Sequence, residues 1–174
     1  MLAIKLCTIA ILVIVFLEDL RLRAVQWALF PLLLAALLLP HFLQGSAVDG
    51  VASLAFNLGF LLVQGGAALA LVMLRRGEWS NPFHSLIGSG DVLFLAIVAA
   101  GLSTERFLPF YLSGLVLCLL GYGLLIWLKP TTQRTVPTAG FLALYLACWV
   151  ALEQLGVLPA LHTGTFAHDL LAHG

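Results

Sequence analysis

The chain has 174 residues, of which 62% are hydrophobic and 9% charged, and its eight basic and eight acidic side chains cancel. Mean hydropathy is +1.10. A soluble domain is roughly half apolar and about a quarter charged, so this few charges could not cover a water-exposed surface of this size. No basic run is present to neutralise phosphates, which excludes a nucleic-acid binder. The composition predicts an all-α polytopic membrane protein, a bundle of about six transmembrane helices forming one integral-membrane domain over residues 1–174.

The first span is expected over residues 2–18. Lys5 precedes an apolar run of signal-peptide length, but no A-x-A-like cleavage site follows, and the run ends in Glu18-Asp19. It therefore reads as a retained helix. Span two covers 24–43, and span three covers 50–74, closed by Arg75-Arg76. Span three carries Asn57 and Gln64 on one face, a polar stripe suited to gluing helices together. Its small pairs Ala55/Gly59 and Gly66/Ala70 would permit close helix approach. After the loop Gly77 to Ile87 comes span four, 91–104, which at about 1.5 Å per residue covers only about 20 Å of a hydrocarbon core about 30 Å thick. Either the membrane thins there or Gly88-Ser89-Gly90 dips below the headgroups. Irregular backbone at that depth survives only in packed protein or against a wet cavity. Span five, 108–128, has a smooth strip of Gly114, Cys118 and Gly121 and is closed by Lys129-Pro130. Span six, 137–158, opens at Pro137, a residue well placed at a helix N-terminus.

Cys7, Cys118 and Cys148 lie in separate apolar runs with no C-x-x-C pair, so all three are expected as buried small hydrophobes. His162, His168, His173 and Asp169 cluster in the tail at spacings that match no metal motif, and no metal is expected there. His84 reads as a loop histidine at an interface.

Orientation follows from Lys and Arg near the span ends. One set of junctions carries Arg21, Arg23, Arg75, Arg76, Lys129 and Arg134, and the opposite set only Lys5 and Arg106. Both termini are therefore expected outside, with three basic loops in the cytoplasm. Of the acids, Asp49, Glu105 and Asp169 fall in outer loops or the tail, Glu78 lies in a cytoplasmic loop, and Glu153 lies near the outer end of span six. Asp19 and Asp91 differ, because both fall where a helix meets the cytoplasmic face, at similar depth. An ionisable group there is a functional hypothesis by default. Two facing carboxylates can share one proton, so that one activates water as a base while the other polarises a carbonyl as an acid. Glycines at 88 and 90 would let a substrate backbone approach closely. The plainer reading is a helix-starting Asp91 after a Gly-Ser-Gly turn and an interfacial Asp19–Arg23 ion pair.

Two patches carry a family resemblance. Asp19-Leu20-Arg21-Leu22-Arg23-Ala24-Val25 places an aspartate before alternating basic residues at the end of the first helix, and Gly88-Ser89-Gly90-Asp91-Val92 is a G-x-G-D opening the fourth. A weaker third patch is Val136-Pro137. In these the chain resembles the type IV prepilin peptidases, membrane aspartyl proteases of the G-x-G-D class, in their compact form without the methyltransferase region. It departs from them at Leu93, where the family usually has Lys, and at Gln26-Trp27, where Pro-Asn is common.

The resemblance implies that Asp19 and Asp91 are the catalytic pair of an aspartic endopeptidase of the bacterial inner membrane that needs no cofactor. It implies a pilin-like precursor as substrate, cleaved on the cytoplasmic side of its hydrophobic stem. Gly88, Ser89, Gly90 and Arg23 would shape the site, and Glu18 or Glu78 would attract the precursor's basic leader. The competing class is a proton-coupled membrane carrier or a non-catalytic scaffold of a secretion or pilus system, in which the same acids relay protons or pack.

Overall fold

A computed structural model of the chain describes residues 2–22, 26–43, 47–76, 89–128, 138–158 and 161. Among the described residues there are six helices and no strand: α1 (Leu2–Leu22), α2 (Leu29–Leu43), α3 (Ala47–Arg76), α4 (Ser89–Gly101), α5 (Thr104–Leu128) and α6 (Thr138–Gln154). Two of them are long and apolar enough to cross a membrane, through Gly50–Leu74 of α3 and Thr104–Leu124 of α5. The apolar helices α2, α4 and α6 are shorter. In α1 the charges stand at the two ends, Lys5 at one and Glu18, Asp19 and Arg21 at the other.

The most extensive pairing is between α1 and α6. α1 buries Thr8, Ile11, Leu12, Val15 and Asp19, one stripe at spacings of three and four. α6 answers with a face of small residues, Ala139, Gly140, Ala143 and Ala147, which lets the two backbones approach closely. The helices run antiparallel. At the end away from Asp19, Lys5 Nζ lies 2.9 Å from Glu153 Oε1. The Glu153 carboxylate, itself buried, is thus tied across to the partly exposed Lys5 of α1, which fixes the register of the two helices.

α4 fills the middle of the bundle with Phe94, Ile97, Val98 and Ala99, packed on α2 and α3. Its far end is where irregular backbone lies deep in protein: Gly101, Leu102, Ser103 and Thr104 are all buried. Several backbone groups there find partners across the bundle. Asn57 Nδ2 donates to the carbonyls of Ala99 and Leu102, both at 3.0 Å. The Ser103 N–H donates to the Leu161 carbonyl, and the Ser103 carbonyl accepts from Phe107 N–H at 2.8 Å, starting α5. The sequence offered such a break at 88–90 as one of two accounts of a short span; Ser89 and Gly90 are helical, Gly88 lies outside the described residues, and the buried break is at the other end of α4.

Close helix contacts also fall partly elsewhere than expected. A Cβ at Gly101 would stand 2.5 Å from Leu37 Cβ, and one at Gly114 would stand 2.5 Å from Leu142 Cδ2. Gly121 faces Phe141 in the same way, so the strip on α5 is a packing surface for α6. The small residues of α3 are different: among the described residues a Cβ at Gly59 or Gly66 would meet nothing within 4 Å, and Ala55 and Ala70 are exposed. Cys7 and Cys148 likewise lie on outward faces, and only Cys118 is buried. Asn57 is fully buried as expected. α5 and α6 are further joined by the Ser113–Tyr145 hydroxyl pair at 2.8 Å and by Phe110 stacked on Tyr145. Just past the end of α6, Gly156 has a φ of +73°, which lets Val157 N–H reach back to the Leu152 carbonyl.

Two substitutions separate tight from open glycines. Gly101→Ala is expected to lower stability by about 1–3 kcal/mol through overpacking against Leu37. Gly123→Ala, at a helical position with no described atom within 4 Å of its Cβ, is expected to raise stability by up to about 1 kcal/mol. Thermal melting in detergent reads both. By the same assay, Lys5→Met is expected to cost about 3 kcal/mol by leaving Glu153 unpaired, and the Lys5→Met/Glu153→Leu double variant much less.

Candidate active site

Three helix ends meet at the pole of the bundle opposite the Lys5–Glu153 pair: the last turns of α1, the first turn of α4 and the first turn of α6. Asp19 arrives there by register. It continues the buried stripe of α1 four residues beyond Val15, so its side chain is directed under α6 and is only 8% exposed. Asp91 is the third residue of α4 and is half-buried.

The first turn of any α-helix has backbone N–H groups without intrahelical partners and a partial positive charge. At the start of α6 two of these groups are taken up by the two acids. Ala139 N–H donates to Asp91 Oδ1 at 2.8 Å. Gly140 N–H donates to Asp19 Oδ2 at 2.6 Å. The carboxylates, 72 residues apart in sequence, are thus bonded to successive N–H groups of one helical turn. Cys118 lies under the same turn, with its Sγ 3.8 Å from the Thr138 carbonyl.

Other residues expected at the site are placed as follows. Glu18 Oε2 accepts from Gln26 N–H at 2.8 Å, holding the chain as it leaves α1. Gly90 is helical, and among the described residues a Cβ there would meet only Phe30 Cζ, at an ordinary 4.0 Å. Leu93 is on an outward face of α4. Ser89 opens α4, but its side chain, together with Gly88, Arg23, Glu78, His84, Val136, Pro137, Lys129, Arg134 and the tail with His162, His168, Asp169 and His173, lies outside the described residues. Among the described residues no group of three or more His, Cys, Asp or Glu side chains could hold a metal ion.

Sequence reasoning missed Ala139, Gly140 and Cys118. Ala139 and Gly140 act through backbone groups, which any residue except proline supplies, so only Pro137 just upstream hinted that a helix began nearby. Chemically, the pole presents two carboxylates from separate helices, held side by side by a third. Such a pair can bind one water between them and divide the roles of acid and base.

No family model, no curated protein and no solved structure matches this chain.

If Asp19 is a structural acceptor for α6, Asp19→Ala lowers the melting temperature, by about 1–3 kcal/mol in stability for a buried donor left without its partner. A rise in melting temperature would instead mean that burial of the carboxylate costs more than its bond to Gly140 returns.

Proposed function

We propose that this protein is a membrane aspartyl endopeptidase that removes the leader from prepilin-like precursors at the cytoplasmic face of a bacterial inner membrane. The observation that carries the reading is the meeting of Asp19 and Asp91, from α1 and α4, on consecutive backbone N–H groups of α6. An isolated acid at a helix end serves as a cap. Two acids brought to one point from separate helices serve water activation.

The reading takes all six helices as membrane spans, with both termini outside and the aspartate pole toward the cytoplasm. Dimensions support a recessed site. At about 1.5 Å per residue, Asp19 and Lys5 are roughly 21 Å apart along α1, whereas a hydrocarbon core is about 30 Å thick. The two polar poles cannot both lie at the surface of an unthinned bilayer. The buried α4–α5 joint obeys the rule that irregular backbone within a membrane must be satisfied by protein. The outward faces of α3 and α5, with Leu62, Val63, Leu119 and Leu120 exposed, suit lipid or an apolar substrate stem.

In the reaction, one carboxylate takes a proton from water as the oxygen attacks the scissile carbonyl. The other, protonated, donates a hydrogen bond to the carbonyl oxygen. The tetrahedral intermediate collapses as the leaving amine is protonated, and no covalent enzyme intermediate forms. The precursor's apolar stem lies along the bundle while its basic leader stays in the cytoplasm, drawn by Glu18 or Glu78.

Purified protein incubated with a prepilin-type precursor tests this. Asp19→Asn and Asp91→Asn should each reduce kcat on the order of 10²-fold or more, the scale of a lost general acid or base. Cleavage indifferent to both changes would remove the protease reading. No cleavage by the unaltered protein, alongside pH-driven solute uptake in vesicles, would favour a proton-coupled carrier.

A further inference from the structure

We infer that the first turn of α6 is the positioning element of the aspartate pair, and that Gly140 is its positioning residue, setting by its lack of a side chain where the Asp19 carboxylate sits relative to Asp91. This rests on the proteolytic reading for its catalytic consequence, but its physical core is independent of it.

The argument begins with spacing. The N–H groups of residues 139 and 140 belong to successive peptide units in one helical turn, so their separation and direction are set by helix geometry and not by side-chain rotamers. Each holds one oxygen of a different aspartate. The turn therefore acts as a rigid gauge between two carboxylates carried by different helices.

Sterics single out position 140. A Cβ there would stand 2.8 Å from Asp19 Oδ2, 3.1 Å from its Cβ and 3.4 Å from its Cγ. The Asp19 Cβ is one bond from the α1 backbone, so the crowding cannot be relieved by swinging a flexible tip. Either the carboxylate turns away from Gly140 N–H, or α1 and α6 separate. Separation is resisted at the far end by the Lys5–Glu153 pair and along the interface by the buried faces of both helices. The turn itself is braced from α5 by Cys118 against the Thr138 carbonyl and by Gly121 against Phe141. An alanine at 140 therefore displaces the Asp19 carboxylate while Asp91 keeps its bond to Ala139.

The test pairs a melting cycle with kinetics. The unaltered protein, Gly140→Ala, Asp19→Ala and the double variant are melted in detergent. Gly140→Ala should lower the melting temperature, and should lower it much less when Asp19 is already alanine, because the crowded group is then gone. Additive losses would overturn the inference, whether or not any precursor is cleaved. With a prepilin-type precursor, Gly140→Ala should reduce kcat by about 10- to 100-fold, as expected for misplacement of a catalytic group by a fraction of an ångström to 1 Å. KM should stay within about twofold, since substrate binding is not the step altered. The pH profile of kcat should shift.

Gly114→Ala, which crowds α6 from α5, is the comparator: it should lower the melting temperature and leave the pH profile in place. Coupled melting with unchanged kcat and pH profile in Gly140→Ala would overturn the positioning role and leave the protease intact. If the unaltered protein cleaves nothing, the proteolytic reading fails, and the melting cycle alone decides whether the turn holds Asp19. Should Gly140→Ala not accumulate, Ala139→Pro removes the N–H that serves Asp91 at a first-turn position where proline is tolerated. It should give a comparable loss of kcat, and undiminished kcat would overturn the inference.

Discussion

An apolar bundle must satisfy the hydrogen-bonding groups at its helix ends without relying on water, and in this protein that constraint accounts for most of the described polar contacts. Each α-helix leaves its first N–H groups and last carbonyls without internal partners, and in apolar surroundings each orphan costs several kcal/mol. The start of α6 is served by Asp19 and Asp91, and the end of α4 by Asn57. Glu18 catches the backbone leaving α1. Ser103 opens α5 while its own N–H reaches Leu161. In a chain with so few polar side chains, those at helix ends also decide how helices are joined across the bundle.

That dual use gives the aspartate pole its character. A carboxylate that merely capped its own helix would leave the three helix ends free to drift apart. Here the acids of α1 and α4 reach across to a third helix, so the same bonds that complete α6 bring the two carboxylates together. The long α1–α6 contact, closed at its other end by Lys5 and Glu153, holds Asp19 in register. Gly140 leaves room for it. The chemistry proposed for the pole and the packing of the bundle thus rest on the same few atoms.

Much of the architecture was legible in the sequence because apolar runs punctuated by charge leave few alternatives to a helical bundle. The six helices follow the six runs, and Asp19 and Asp91 were singled out by the scarcity of acids and by a topology argument that used only Lys and Arg. Side-chain direction was less legible. In a soluble helix an apolar residue points inward, but in this chain outward faces are apolar too, as exposed Leu62, Val63, Leu74 and Leu119 show. Apolar context therefore could not tell buried Cys118 from exposed Cys7 and Cys148. Nor could small-residue spacing tell the packed strip Gly114, Cys118 and Gly121 on α5 from the unpacked Gly59 and Gly66 on α3.

Sequence by itself determined an all-helical chain, its six described helices and the two acids worth attention, because length, hydropathy and charge placement are properties of the chain alone. Only the tertiary structure decided what those acids touch. Their partners are main-chain N–H groups on a helix that begins nearly fifty residues after Asp91, and a main-chain donor leaves no mark in the identity of its residue. The one trace is negative, a glycine at 140 where any side chain would collide with Asp19. Its meaning emerges only when α1 is laid against α6, because the collision exists between two helices and in neither of them alone.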